Sequence, residues 1–196
     1  DIIVGCTGGG SNLAGLMFPF LGQQLRGGQK IDIIGCEPLS CPSFTKGKYA
    51  YDHGDMARMT PLIKMHTLGS DFLPPANHSG GLRYHGMSYH LSHLYNLGLM
   101  RAKAYGQKDC FEAGVIFGKQ EGIIPAPEGN HAVKGAIDAA LECKEKGESK
   151  TILFNLCGHG HFDMTAYDDY FNGRLADDFY DESSVNQSLS KLPEIA

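Results

Sequence analysis

DIIVGCTGGGSNLAGLMFPF (residues 1–20) sets a short apolar run before three consecutive glycines and a plausible amphipathic helix after them. Strand, glycine loop and helix in that order aim unpaired backbone N–H groups and the positive end of a helix at an anion. Three adjacent residues without side chains exceed what a strand-to-helix turn requires. The loop is therefore read as a phosphate cradle made by Gly8, Gly9, Gly10, Ser11 and Asn12. A ligand-free tight turn is the competing reading. A dinucleotide fingerprint would need a third glycine where Leu13 stands, and a P-loop would end in Gly-Lys-Ser/Thr. With no lysine, the loop offers only neutral donors, which suits one monoester phosphate better than a triphosphate with Mg²⁺.

Working outward, residues 2–5 and 31–36 read as buried strands. Ser11 to about Leu25 reads as the helix between them, with Ser11 or Asn12 near its N-cap and "RGG" ending it. That βαβ unit implies a parallel sheet. A strand follows at 100–106 and a helix from Asp109 to about Gln120. A helical stripe runs through Ala132, Val133, Ala136, Ala139, Ala140 and Cys143. TILFNLCG (151–158) reads as the best buried strand in the chain. The fold class is α/β, a Rossmann-like three-layer parallel sheet with helices on both faces. Residues 1–170 form the domain and 171–196 an acidic and polar tail, loose from Asp177 onward. Residues 38–98 show little periodicity, and so long an irregular excursion usually carries function. There are no internal repeats.

Composition narrows the classes. The chain has 196 residues, 42% hydrophobic and 20% charged, with a formal net charge of -5. That balance, without a Lys/Arg cluster, argues against nucleic acid. The apolar run Leu13–Leu21 holds a glycine and a proline and is too short to span a bilayer. No basic leader precedes the first strand. The six cysteines form no C-x-x-C pair, which fits reduced thiols and a cytoplasmic setting. The chain opens at Asp1 directly in a strand, as part of a longer protein would.

In an open parallel sheet, ligands bind beyond the carboxyl ends of the strands. "TGGGSN", "CEP" and "CGHGHFD" all follow strands in this way. Glu37 stands where a ribose hydroxyl would be held in a nicotinamide-binding domain, although a solvated loop carboxylate is the favoured reading. His159, His161 and Asp163 alternate, and with His78, His85, His90 and His93 they make a metal site conceivable; ordinary hydrogen bonding is the commoner fate of single histidines. Cys157, at the end of a strand, can face a heterocycle nitrogen or be a small buried apolar residue. Glu128 lies at a helix start, where capping alone is an equal explanation.

Taken in order, GGGSN (8–12), GCEP (35–38), GLRYHGMSYH (81–90), EGIIPAPEGNHA (121–132) and NLCGHGHFD (155–163) resemble the C-terminal half of tryptophan synthase beta chains, fold-type II enzymes that use pyridoxal 5′-phosphate. "GLRYHGM" and "GHGHFD" are similar to their divergent second class. The resemblance implies that Gly8, Gly9, Gly10, Ser11 and Asn12 cradle the cofactor phosphate. It places Cys157 opposite the pyridine nitrogen, with Gly158 beside it, and Glu128 near the ring. It aligns Gly8, Tyr84 and Gly86 with backbone carbonyls that bind a monovalent cation. Arg83 stands where the commoner class has an aspartate, and His159 where it has an arginine. No His-Lys pair occurs, so the Schiff-base lysine is not in this chain and the chain alone is expected to be inactive. The implied reaction joins L-serine and indole into L-tryptophan and water. The implied partners are these small molecules, the protein's own N-terminal half, a second copy as a homodimer and the alpha subunit. A non-catalytic phosphate-binding fragment and a serine or threonine dehydratase are the alternatives.

Overall fold

A computed structural model describes residues 1–177 and 179–194. In chain order the elements are β1 (Ile2–Cys6), α1 (Ser11–Leu25), β2 (Asp32–Pro38), α2 (Ser43–Lys46), β3 (Lys48–His53), β4 (Leu62–Thr67), α3 (Tyr89–Asn96), β5 (Arg101–Tyr105), α4 (Gln107–Glu121), α5 (Pro127–Lys146), β6 (Ile152–Phe154), α6 (Met164–Phe171) and α7 (Glu182–Leu189). Short 3₁₀ turns lie at Gly80–Leu82 and Gly160–Phe162.

Four strands form a parallel sheet in the order β5-β2-β1-β6. Successive side chains on a strand point to opposite faces, and the apolar residues divide accordingly. Ile3 and Ile33 pack with Leu13, Met17 and Leu21 of α1 and Leu91 of α3. Ile2, Val4, Ile34 and Cys36 pack on the other face with Cys110 of α4 and Ala139 and Cys143 of α5. These two cores make the three layers that the sequence implies. On the α5 face Gly135 is obligatory, because a Cβ there would lie 2.4 Å from Cys36 Sγ and 2.8 Å from Val4.

Several expectations are corrected. The strand expected over 151–158 is three residues long and sits at the sheet edge, with Leu153 exposed. After Phe154 the ladder to β1 is reduced to the Asn155 amide, which reaches Val4 O at 3.2 Å. Residues 38–98 are not structureless: β3 and β4 form an antiparallel hairpin in register from Lys48↔Thr67 to His53↔Leu62. The hairpin is fixed by buried polar groups rather than by an apolar stripe, as where the Thr67 hydroxyl donates to Asp52 at 2.6 Å. The stretch expected to be loose holds α7, whose Val185 packs with Cys41, Leu68 and Phe72. Asp181 caps that helix by accepting from the Ser183 and Ser184 amides. Asp177 accepts from the Lys108 amide at 2.9 Å at the start of α4. Asp178, Ile195 and Ala196 of the expected tail lie outside the described residues. No helix among the described residues is long and apolar enough to cross a membrane.

Glu37 fits neither of its sequence readings. Its side chain is fully buried and turned inward, accepting from the Phe44 and Thr45 amides at 2.9 Å each and from the Thr45 hydroxyl at 2.7 Å. It thus ties α2 to the end of β2 instead of meeting a ligand. Burial pushes its carboxyl up to about 7, although the three donors favour the charged form. With a folded-state value above the unfolded one, the unfolded chain loses its proton first as pH rises. Stability is then lost progressively between about pH 4.5 and about 7. At about 1.4 kcal/mol per pH unit the loss comes to about 3 kcal/mol. Urea unfolding of the chain and of Glu37→Gln across this range measures it: the stability difference between them should fall over that window and level off above it. A difference that is flat with pH contradicts the account.

Candidate functional site

β1 ends at Cys6, and the backbone then passes through Thr7 and the three glycines into α1. Gly10, not Ser11 or Asn12, is the N-cap residue, with φ 94° and no side-chain cap. Two of the glycines are required by the protein's own packing. A Cβ on Gly8 would lie 2.7 Å from Leu82 Cα, and one on Gly10 would lie 2.6 Å from Met87 Sδ in a left-handed conformation that disfavours side chains. Gly9 has room, its nearest neighbours being Tyr84 ring carbons at 3.7 and 3.9 Å. The close approach is therefore made in part by residues 81–91 of the same chain.

This packing leaves the loop's donors unspent. No acceptor among the described residues takes the amide N–H of Gly8, Gly9 or Gly10. Thr7 beside them is buried, and its hydroxyl oxygen has no partner. Buried amides without acceptors are costly, and a helix N-terminus adds positive potential to the same spot. An anion that fills the loop satisfies both. A monoester phosphate therefore fits the donors present. A cavity of about 340 Å³ opens beside the loop, with Gly9, Ser11, Met65, Tyr84 and Met87 in its wall.

The other expected residues gather around the loop. The Asn12 side-chain oxygen accepts from Asn155 Nδ2 at 3.1 Å, which links the loop to the segment after β6. Cys157 lies further along that segment, with its Sγ 3.4 Å from Cys6 Sγ. Glu128, in the first turn of α5, does not cap its own helix; its Oε1 accepts from the Gly81 amide at 2.8 Å. Gly158 takes φ 76°, and its carbonyl accepts from the Ala126 amide, closing the Cys157 turn onto the start of α5. A Cβ on Gly129 would lie 3.3 Å from Cys157 O, so the start of α5 packs tightly against the Cys157 turn.

The two thiols are in hydrogen-bond contact. The hydrogen bond from Cys6 holds the Cys157 thiol below its ordinary range, against burial and the nearby Glu128 carboxylate. The same contact and burial push Cys6 up. Cys157 thus presents a half-buried sulfur beside the glycine loop, suited to a weak hydrogen bond with a ring nitrogen.

Elsewhere the expectations disperse. No group of three or more His, Cys, Asp or Glu able to hold a metal exists among the described residues. His161 donates its amide to His159 Nδ1 at 3.3 Å, His85 lies 3.9 Å from Asp52, and His78 lies 3.8 Å from Asp169. Arg83 donates to Pro74 O at 2.6 Å. The carbonyls of Gly8, Tyr84 and Gly86 accept no hydrogen bond among the described residues. Sequence reasoning missed Thr7, Asn155 and Cys6; the first directly precedes the glycines and could have been included on that ground.

Comparison with known proteins follows this geometry. The family model described as "Pyridoxal-phosphate dependent enzyme" matches residues 1–158. The chain is 57% identical over 175 residues to a Methanosarcina mazei protein named tryptophan synthase beta chain 2, covering 89% of this chain and 40% of that one. It is 51% identical over 193 residues to a Pyrococcus horikoshii tryptophan synthase beta chain, covering 98% and 42%. The chain thus spans about two fifths of the length of these relatives. A fungal L-serine ammonia-lyase from Rhizomucor miehei shares the fold at a TM-score of 0.61 and 15% identity, over 89% of this chain and 50% of that one.

The glycine loop yields a test that separates packing from ligand binding. Gly8→Ala and Gly10→Ala should each destabilise the chain by about 1–3 kcal/mol, because backbone or buried side chains must move. Gly9→Ala should stay within about 0.5 kcal/mol of the parent. Urea midpoints of the three variants read this directly. Equal losses at all three positions would show that the segment 81–91 does not pack on the loop as described.

Proposed function

The chain belongs to the pyridoxal-phosphate dependent enzyme family, and on that premise we propose that it is the cofactor-phosphate domain of a tryptophan synthase beta-type lyase, which joins L-serine and indole into L-tryptophan and water. The observation that carries the reading is the trio of acceptor-free amides at Gly8, Gly9 and Gly10, with Cys157 and Glu128 beside them.

In this reading the amides of Gly8–Gly10, the Ser11 hydroxyl and the Asn12 side-chain amide hold the phosphate with neutral donors. Asn155 orients Asn12 for that task. Cys157 would face the pyridine nitrogen as a weak hydrogen-bond partner, and Gly158 would let the backbone turn beside the ring. Glu128, held by the Gly81 amide, would lie near the ring. Bound in this way, pyridoxal phosphate supplies the electron sink for chemistry at the substrate Cα. The carbonyls of Gly8, Tyr84 and Gly86, which have no donor among the described residues, are the proposed ligands of a monovalent cation. The amine that takes up the cofactor is assigned to the N-terminal part that the relatives have beyond the matched region, since no lysine here follows a histidine. That half, a second copy and the alpha subunit are the proposed protein partners, and the cytoplasm the proposed location.

Two measurements test the proposal. Ser11→Ala should raise the Kd for pyridoxal phosphate at least about tenfold, since a hydrogen bond to a charged group is worth about 1.5–3 kcal/mol. It should leave the Kd for pyridoxal, which lacks the phosphate, unchanged. Equal effects on both ligands would remove the phosphate from the loop. The chain joined to the N-terminal part of the Methanosarcina mazei relative should form tryptophan from serine and indole. Deamination of serine without tryptophan formation would instead favour a dehydratase.

A further inference from the structure

Six cysteines are present and all are free, but only one pair is in thiol contact among the described residues. Cys6 ends β1 and Cys157 follows β6, 151 residues later, with their sulfurs 3.4 Å apart. β1 and β6 pair in parallel from Ile2↔Ile152 to Val4↔Phe154, which holds the two cysteines at the same end of the sheet. They pack in one small cluster with Leu82 and Ala132. We propose that Cys6 and Cys157 form an oxidisable thiol pair, which a hydroperoxide converts to a disulfide at the floor of the glycine-loop site.

The approach needed is small, from 3.4 Å to a bond of about 2.05 Å. The flexibility to make it is on the Cys157 side. Cys6 is held in a central strand, whereas Cys157 lies outside regular structure and precedes Gly158, a glycine in the left-handed region. Cys157 is half-buried and Cys6 is 1% exposed, which assigns the roles. Cys157 meets the oxidant and Cys6 resolves.

In the first step the Cys157 thiolate attacks one oxygen of hydrogen peroxide. The S–O bond forms, the O–O bond breaks, and the departing hydroxide takes up a proton as water. In the second, the Cys6 sulfur attacks the Cys157 sulfur, the S–S bond forms, the S–O bond breaks, and a second water leaves carrying the Cys6 proton. Two thiols are oxidised by two electrons and one peroxide is reduced. The disulfide removes the Cys157 hydrogen from the site, and any shielding of the pair by the cofactor ring rests on the function proposed above.

Peptide mapping of the chain after treatment with hydrogen peroxide tests this without relying on activity. Trypsin releases Cys6 in the peptide ending at Arg26 and Cys157 in that ending at Arg174. These two should appear joined, about 2 Da below the sum of their reduced masses, and separate on treatment with dithiothreitol. Cys36, Cys41, Cys110 and Cys143 should remain alkylatable. In Cys6→Ser, Cys157 should pass instead to the sulfinic acid, which dithiothreitol does not reverse. Sulfinic acid at Cys157 in the unsubstituted chain without the joined peptide, or joining of other cysteines, overturns the proposal. Repeating the reaction with saturating pyridoxal phosphate distinguishes the two claims. Slower joining supports both, whereas joining at an unchanged rate upholds the pair and removes the ring from Cys157.

Discussion

The backbone of Gly8–Gly10 is held against residues 81–91 so closely that neither Gly8 nor Gly10 admits a Cβ, and the rest of the site depends on that contact. It brings Gly81 to the carboxylate of Glu128 and so to the start of α5. It also sets Tyr84 and Met87 beside the cavity at Gly9 and Ser11. The amides left over have no acceptor among the described residues. The loop's conformation is fixed by its own chain, so an anion bound there would not have to order it.

The sheet supplies the second constraint. Parallel strands share one carboxyl end, and β1 and β6 deliver the glycine loop and the Asn155–Gly158 segment to it side by side. β2 runs to the same end, yet its Glu37 is drawn inward to hold α2. Position at the end of a strand is thus insufficient for a place in the site. What decides is whether local donors satisfy the side chain first.

Much of this was legible in the sequence for definable reasons. Ile2, Ile3 and Val4 face two helical layers, so β1 reads as an uninterrupted apolar run, the mark of a strand buried on both sides. The helices carry regular apolar spacing and glycine ends. The hairpin β3–β4 was hidden because three of its four buried residues, Asp52, His66 and Thr67, are polar, Met65 being the fourth, and polar residues do not announce a core. α7 was hidden because only Val185, with the partly buried Leu189 behind it, anchors an otherwise polar helix in the cluster with Cys41 and Phe72. For the candidate site, the glycines, Glu128 and Cys157 were singled out from motif order. Cys6 was missed because its meaning comes from a partner 151 residues away, and no local pattern encodes that. Glu37 was misread because its donors at Phe44 and Thr45 exist only once α2 has formed.

The central claim is that the three glycine amides await a phosphate. Amide resonances of Gly8, Gly9 and Gly10 in ¹⁵N-labelled chain, recorded with added pyridoxal phosphate and separately with pyridoxal, test it most directly. The account predicts that the phosphate ester moves all three downfield, as expected for new hydrogen bonds to an anion, while pyridoxal leaves them in place. Unmoved glycine resonances at saturating pyridoxal phosphate would contradict it.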